Sequence, residues 1–190
     1  MQRVVMVGLA AVVASACSSD SARTPAQPDG IAVPLRVESA QHADTPHNHS
    51  VHLSGDQEVF TPATPDAPTP ADTLAQGQAI LHISKDGQSF DYKLIASNIE
   101  NITQAHIHSA PPGANGDVVA WLYPSGPPPE LLPGRHNGVL SQGTLTDADL
   151  VGPLAGATLG DLVQLLADGG AYVNVHTSQF PGGEIRGQIR

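Results

Sequence analysis

From Val51 to Arg190 the apolar residues fall in short β-rich runs broken by turn residues, and that punctuation restricts the chain to an all-β sandwich or barrel. "GQAILHIS", "KDGQ" and "SFDYKLIASNI" read as strand, turn and strand, with Asp86-Gly87 supplying the positive-φ chemistry of a hairpin. Val51 to Val59 reads as a strand before them. After them come a strand around His106, the loop "SAPPGANG", a strand "DVVAWLY" and a strand "VLSQGTLT". "AYVNVHT" and "GEIRGQI" close the chain as a hairpin around "SQFPGG", where Pro181 fixes φ and Gly182-Gly183 permits a sharp reversal. The expected fold is an antiparallel β-sandwich or Greek-key-like barrel over residues 51–190, a common single-domain size.

Two stretches depart from the strand pattern because of proline, which cannot donate to a ladder. "FTPATPDAPTPADT" carries four prolines and reads as a surface loop; "PSGPPPELLPGRHNG" reads as a second excursion, with His136 solvated in it. One short helix is expected before the C-terminal hairpin, near 159–167. Thr158 and Asp161 stand in capping-box order, Leu159, Leu162, Val163 and Leu166 recur at helical spacing, and Gly169 is placed to end it. It should lie over an open end or edge of the sheet.

The N-terminal residues read as an address and not as structure. Arg3 precedes an apolar run from Val4 to Ala14, about half of what a membrane-spanning helix needs. Ala14-Ser15-Ala16-Cys17 resembles a lipoprotein processing site with alanine where leucine is usual. The expectation is a signal peptide over 1–16, with Cys17 lipidated as the first mature residue. The protein would then be anchored in a cell envelope on the extracytoplasmic side, or secreted if Cys17 is not lipidated. Cys17 is the only cysteine, so no intrachain disulfide can form. Residues 17–50 read as a flexible tether of Ser, Ala, Pro, Asp and Gln. At its end lies "HADTPHNHSVH", where His42, His47, His49 and His52 either chelate a divalent metal or are polar filler. Eighteen acidic residues against eight basic give a formal charge of -10, which argues against a nucleic-acid partner and favours cations.

Histidine placement carries the chemistry. In a strand, His106 and His108 project from the same face, about 6.5–7 Å apart at Cα, close enough to share one ion at about 2.0–2.1 Å. His176 qualifies as a third ligand, because Val173 and Val175 claim the core face and leave Tyr172, Asn174 and His176 on the other. Ile185 and Ile189 likewise assign Glu184, Arg186 and Gln188 to the histidine face. If the strands are neighbours, His106, His108 and His176 form an open three-histidine site for zinc or copper, with Glu184 and Arg186 behind the ligands. The alternatives are a hydrogen-bonded histidine cluster and a plain surface ion pair between Glu184 and Arg186. His82 sits in a strand with no partner visible in the sequence.

"LSGDQEV", "AHIHSAPPGANGDVVAWLY" and "YVNVHTSQFPGGEIRGQI", in that order, resemble the CHRD domain family, first described in chordin and widespread in exported bacterial proteins. The resemblance implies a β-sandwich-like extracellular module with no established catalytic activity. His106, His108, His176, Glu184 and Arg186 match motif positions; His52, His82 and His136 match none, and the two proline-rich stretches are insertions. Three functional readings follow. The first is a lipid-anchored binding or structural module, with or without a divalent metal on the three histidines. The second is a zinc or copper enzyme using the same histidines with Glu184 as acid or base. The third is metal buffering by the tether alone.

Overall fold

The computed structural model describes residues 48–60 and 68–190. Cys17, the leader expected over 1–16 and the tether up to His47 lie outside them. Seven strands and one helix follow in the order β1 (Asn48–Ser54), β2 (Gln76–Ile83), β3 (Phe90–Ser109), β4 (Asp117–Tyr123), β5 (Leu132–Leu145), α1 (Leu159–Ala167), β6 (Ala171–Thr177) and β7 (Ile185–Gln188).

β2 shows how the sequence builds the sheet. Gly77, Ala79, Leu81 and Ile83 are buried while Gln76, Gln78, Ile80 and His82 face outward, the strict alternation of a strand with one face on a core. β2 pairs with the whole of β1, from Asn48 opposite His82 to Ser54 opposite Gln76, and with the first half of β3, from Ile83 opposite Phe90 to Gln76 opposite Ser97. The second half of β3 pairs with β6, and β6 pairs with β7, which reaches β1 through Ser54 and Arg186. The antiparallel sheet therefore closes on itself as a barrel-like ring, β2-β1-β7-β6-β3 and back to β2, with β4 and β5 on the other side of β3. Closure leaves β1, β2, β6 and β7 without an open backbone edge, so that only β4 and β5, each laddered to β3 alone, present one.

The ring closes because β3 is one strand of 20 residues and not the two separate strands expected from the sequence. Its halves meet at Asn98 and Asn101, with φ of 55° and 54°, and the β5 register shifts at both. Asparagine is the non-glycine residue best able to enter this left-handed region. The bend is held locally: Asn98 N donates to Asn137 Oδ1 at 2.9 Å, and Gly134 N donates to Asn101 Oδ1 at 2.9 Å.

Three other boundaries differ from the sequence expectation. The first strand begins at Asn48 and not at Val51, so His49 joins His52 in the domain; it ends at Ser54 in a 3-10 turn over Gly55–Gln57, not at Val59. His49 Nδ1 contacts the carbonyl of Arg190 at 3.0 Å, while His52 faces outward. The second proline-rich stretch ends sooner than read, because β5 starts at Leu132, and His136 is a half-buried strand residue opposite Ile99. Within the first proline-rich stretch, Pro70–Asp72 forms a 3-10 turn; residues 61–67 lie outside the described residues.

The helix is α1 as expected, with the N–H and the hydroxyl of Thr158 both donating to Asp161 Oδ2 at its start and Leu159, Leu162 and Leu166 buried in the same core as Leu81, Leu94 and Val173. β7 packs so closely on β1 that a Cβ at Gly187 would stand 2.5 Å from the carbonyl oxygen of His52 and 2.6 Å from Val51 Cγ1. Gly187→Ala is accordingly expected to lower the urea midpoint by the equivalent of about 1–3 kcal/mol, the cost of overpacking. Ile80→Thr, on the outward face of β2, is expected to change stability by no more than about 0.5 kcal/mol.

Candidate metal centre

β6 is buried along its whole length, on both faces. Val173 and Val175 point into the apolar core, as the alternation required, so Tyr172, Asn174 and His176 form a second, polar layer with His106 and His108 of β3 and Glu184, Arg186 and Gln188 of the β7 segment. The turn residues 110–116 and 178–183 lie over this layer, as their hydrogen bonds show. Polar groups shut away from water are costly unless each finds a partner, so the partners identify what the layer is built for.

Two imidazoles are held the same way. His108 Nδ1 donates to the carbonyl of Gly116 at 2.8 Å, and His176 Nδ1 donates to the carbonyl of Pro181 at 2.8 Å. A carbonyl only accepts, so both Nδ1 atoms carry the hydrogen and both Nε2 atoms carry a lone pair and no hydrogen, that of His108 being bare. His106 Nδ1 lies 3.2 Å from His176 Nε2 and donates to it, which leaves His106 Nε2 bare as well. The Nε2 atoms of His106 and His108 are buried with no hydrogen-bond partner. Each such orphan costs about 1–3 kcal/mol unless something electropositive occupies the space beside it.

One ligand nitrogen from each of His106, His108 and His176 can be chosen so that all lie within 4.8 Å of one another. Donors on a common tetrahedral ion at about 2.0–2.1 Å stand about 3.3–3.4 Å apart, so a pair at that upper limit closes by about 1.4 Å on binding through small turns of the rings. The three residues thus fit a small divalent metal that takes nitrogen donors. Fixing Nδ1 on a backbone carbonyl and leaving Nε2 free is also how metal-binding imidazoles are commonly oriented.

The rings pack as a cluster. Trp121, opposite His106 in the register between β3 and β4, packs with it at a near-right angle, ring centres 4.3 Å apart. Tyr172 stacks on His108 at 4.8 Å and 8°, and the Arg186 guanidinium lies 3.4 Å from the centre of the Tyr172 ring. Arg186 is 2% exposed and reaches into the loop over the site, donating to Asn115 Oδ1 at 3.2 Å. It does not form the surface ion pair weighed for it with Glu184. Glu184 is buried too, accepting from the hydroxyls of Thr73 at 2.6 Å and Thr177 at 2.8 Å. The groups that grip the imidazoles are main-chain carbonyls of the two turns. Gly116 is needed for one of them, since a Cβ there would stand 1.9 Å from the carbonyl oxygen of Ser109. His82 and Asn48 contact each other on the outer surface, away from this layer.

Glu58 is a residue that sequence reasoning passed over. Its carboxyl faces Asn174 and Arg186, and burial pushes it up to about 7 against the pull of the arginine. Burial acts in the opposite direction on the histidines. Together with the positive charges its neighbours would carry, it holds His106 down at about 3. His176 is held at about 4 by burial despite the Pro181 carbonyl, and burial also lowers His108. All three are therefore neutral near pH 7, the state in which a lone pair is available to a metal.

The histidine contribution to stability is complete above about pH 6.5, the unfolded value, and is lost as pH falls toward the depressed folded values. Glu58 runs the other way, its contribution complete below pH 4.5 and lost as pH rises through about 7. Three groups outweigh one, so with a chelator present stability is expected to rise between about pH 5 and pH 6.5. His106→Gln is expected to reduce that slope by about one proton in urea unfolding across the range. An unchanged slope would mean that His106 titrates in the folded domain as it does in the unfolded chain.

The family model for the CHRD domain matches residues 49–189. No curated protein and no solved structure matches the chain. The match begins inside β1, ends one residue past β7 and takes in the histidines, both turns that grip them and Glu58. The chain belongs to the CHRD domain family.

Proposed function

We propose that this CHRD domain is an extracytoplasmic binding module that holds one divalent metal, zinc or copper, on His106, His108 and His176. The observation that carries the reading is the pair of buried, unpartnered Nε2 atoms on His106 and His108, beside a third imidazole fixed in the same tautomer as His108. A merely hydrogen-bonded cluster would have its acceptors matched by donors. A metal module is favoured over a metal-dependent enzyme because both oxygens of Glu184, the acid or base such an enzyme would use, accept hydrogen bonds from threonine hydroxyls. The acidic chain supports cation capture over nucleic-acid binding.

Elemental analysis of untagged protein prepared with ample zinc and copper is expected to find about one metal per chain. His108→Ala is expected to remove it, and deletion of residues 41–47, which takes out His42 and His47 but spares β1, to leave it in place. Loss on the deletion alone would assign the metal to the tether. Trp121, the only tryptophan, lies against His106, so copper(II) should quench its fluorescence in the parent and not in His108→Ala.

We further propose that the module is tethered to a membrane through lipidated Cys17, supported by the short apolar run before it and its place as the single cysteine. Several acyl chains on one residue anchor firmly where one would be marginal. Cys17→Ser is expected to move the protein from the membrane fraction to the soluble fraction of its host, checked by fractionation and by the mass of the N-terminal peptide. An unchanged distribution would remove the lipid anchor and leave the domain's chemistry untouched.

A further inference from the structure

Besides the two imidazole nitrogens, the polar layer holds two more buried atoms without a hydrogen-bond partner: Asn174 Oδ1 and Glu58 Oε1. Asn174 is 1% exposed and stands opposite His106 in the register between β3 and β6. On these neighbouring antiparallel strands His106 and Asn174 are the directly opposed pair, while His108, opposite Tyr172, and His176, opposite Gln104, stand two residues to either side of it on the same face. Directly opposed residues have Cβ atoms about 4.5–5.5 Å apart, well within reach of a shared ion.

A carboxamide has the same shape either way round, so its neighbours decide which end points where. The Glu58 carboxylate and the Asn174 amide nitrogen crowd the bare face of Gly183, where a Cβ would stand 2.4 Å from Glu58 Oε1 and 2.9 Å from Asn174 Nδ2. The side chain of Asn174 also interacts with Glu58 and with the imidazole of His108. The NH2 end lies on the Glu58 side, where the ionised form favoured by Arg186 attracts it, and this leaves the carbonyl end for the other neighbour, the imidazole side. There Oδ1 meets lone pairs, and acceptors gathered in a dry space need a cation between them.

The geometry points to Asn174 Oδ1 as the fourth donor of the metal site, completing three nitrogens and one oxygen, with Glu58 as the positioning residue that fixes the carboxamide. This rests on the metal reading above and sharpens it. Four protein donors close a tetrahedral site, which suits a stored or structural ion, whereas a catalytic metal keeps a position open for water or substrate.

The test is azide binding to the copper(II)-loaded full-length protein, followed by the azide-to-copper charge-transfer absorption. The parent is expected to develop no such band. Asn174→Ala is expected to develop it and to bind copper about 10–100-fold more weakly in chelator competition. Asn174→Asp, which keeps an oxygen donor, is expected to stay closed, and Glu58→Gln to show partial opening because a second carboxamide no longer dictates which end of Asn174 faces the metal. A band of equal strength in the parent and Asn174→Ala would overturn the fourth donor while leaving the three-histidine site standing. A parent that takes up no copper would overturn both. The parent measurement needs no substitution, so a variant that fails to fold does not rescue the proposal.

Discussion

Burial of β6 on both faces is the constraint from which the rest of the site follows. A strand in that position has one apolar and one polar side, and the polar side can persist only if its atoms are matched. Main-chain carbonyls supply part of the match. Gly116 and Pro181 each take the Nδ1 hydrogen of one histidine, and because backbone is less mobile than a side chain, the rings they hold have little freedom to turn. What the carbonyls leave unmatched is a small set of lone pairs on neighbouring residues. The acceptor character of the site is therefore a product of the turns as much as of the histidines.

Those turns are in place because of the sheet beneath them. β3 carries His106 and His108 past β6, where register sets His106 against Asn174 and His108 against Tyr172. The loop after β3 returns through Gly116 over the imidazole of His108, and Arg186 reaches up from β7 to hold that loop through Asn115. The guanidinium, the phenol and the imidazole are stacked in sequence, so a residue on one strand sets the environment of a ring two strands away.

Much of this was legible in the chain. Alternation alone placed Tyr172, Asn174 and His176 on one face and Glu184 and Arg186 beside them, because period two is a covalent property of an extended backbone. Helix α1 was readable from its capping residues and leucine spacing. The continuity of β3 was not, because an asparagine in a left-handed conformation carries the same letter as an asparagine in a turn. The role of the carbonyls was hidden for a deeper reason: every residue has one, and only the fold decides where it points. Glu58 was missed because nothing in its local sequence ties it to residues more than a hundred positions later. Asn174 was assigned to the right face, but its value as a neighbour of the histidines depends on the register between β3 and β6.

The unbroken run of β3 also bears on how the domain opens. Its first half is laddered to β2 and its second to β6, and the ring closes only through their covalent continuity. None of β1, β2, β6 and β7 can leave the ring as an independent unit without parting one of its seams. Slow amide exchange in β2 and in β6 should therefore report a single global opening with a common free energy, in contrast to proteins that loosen region by region.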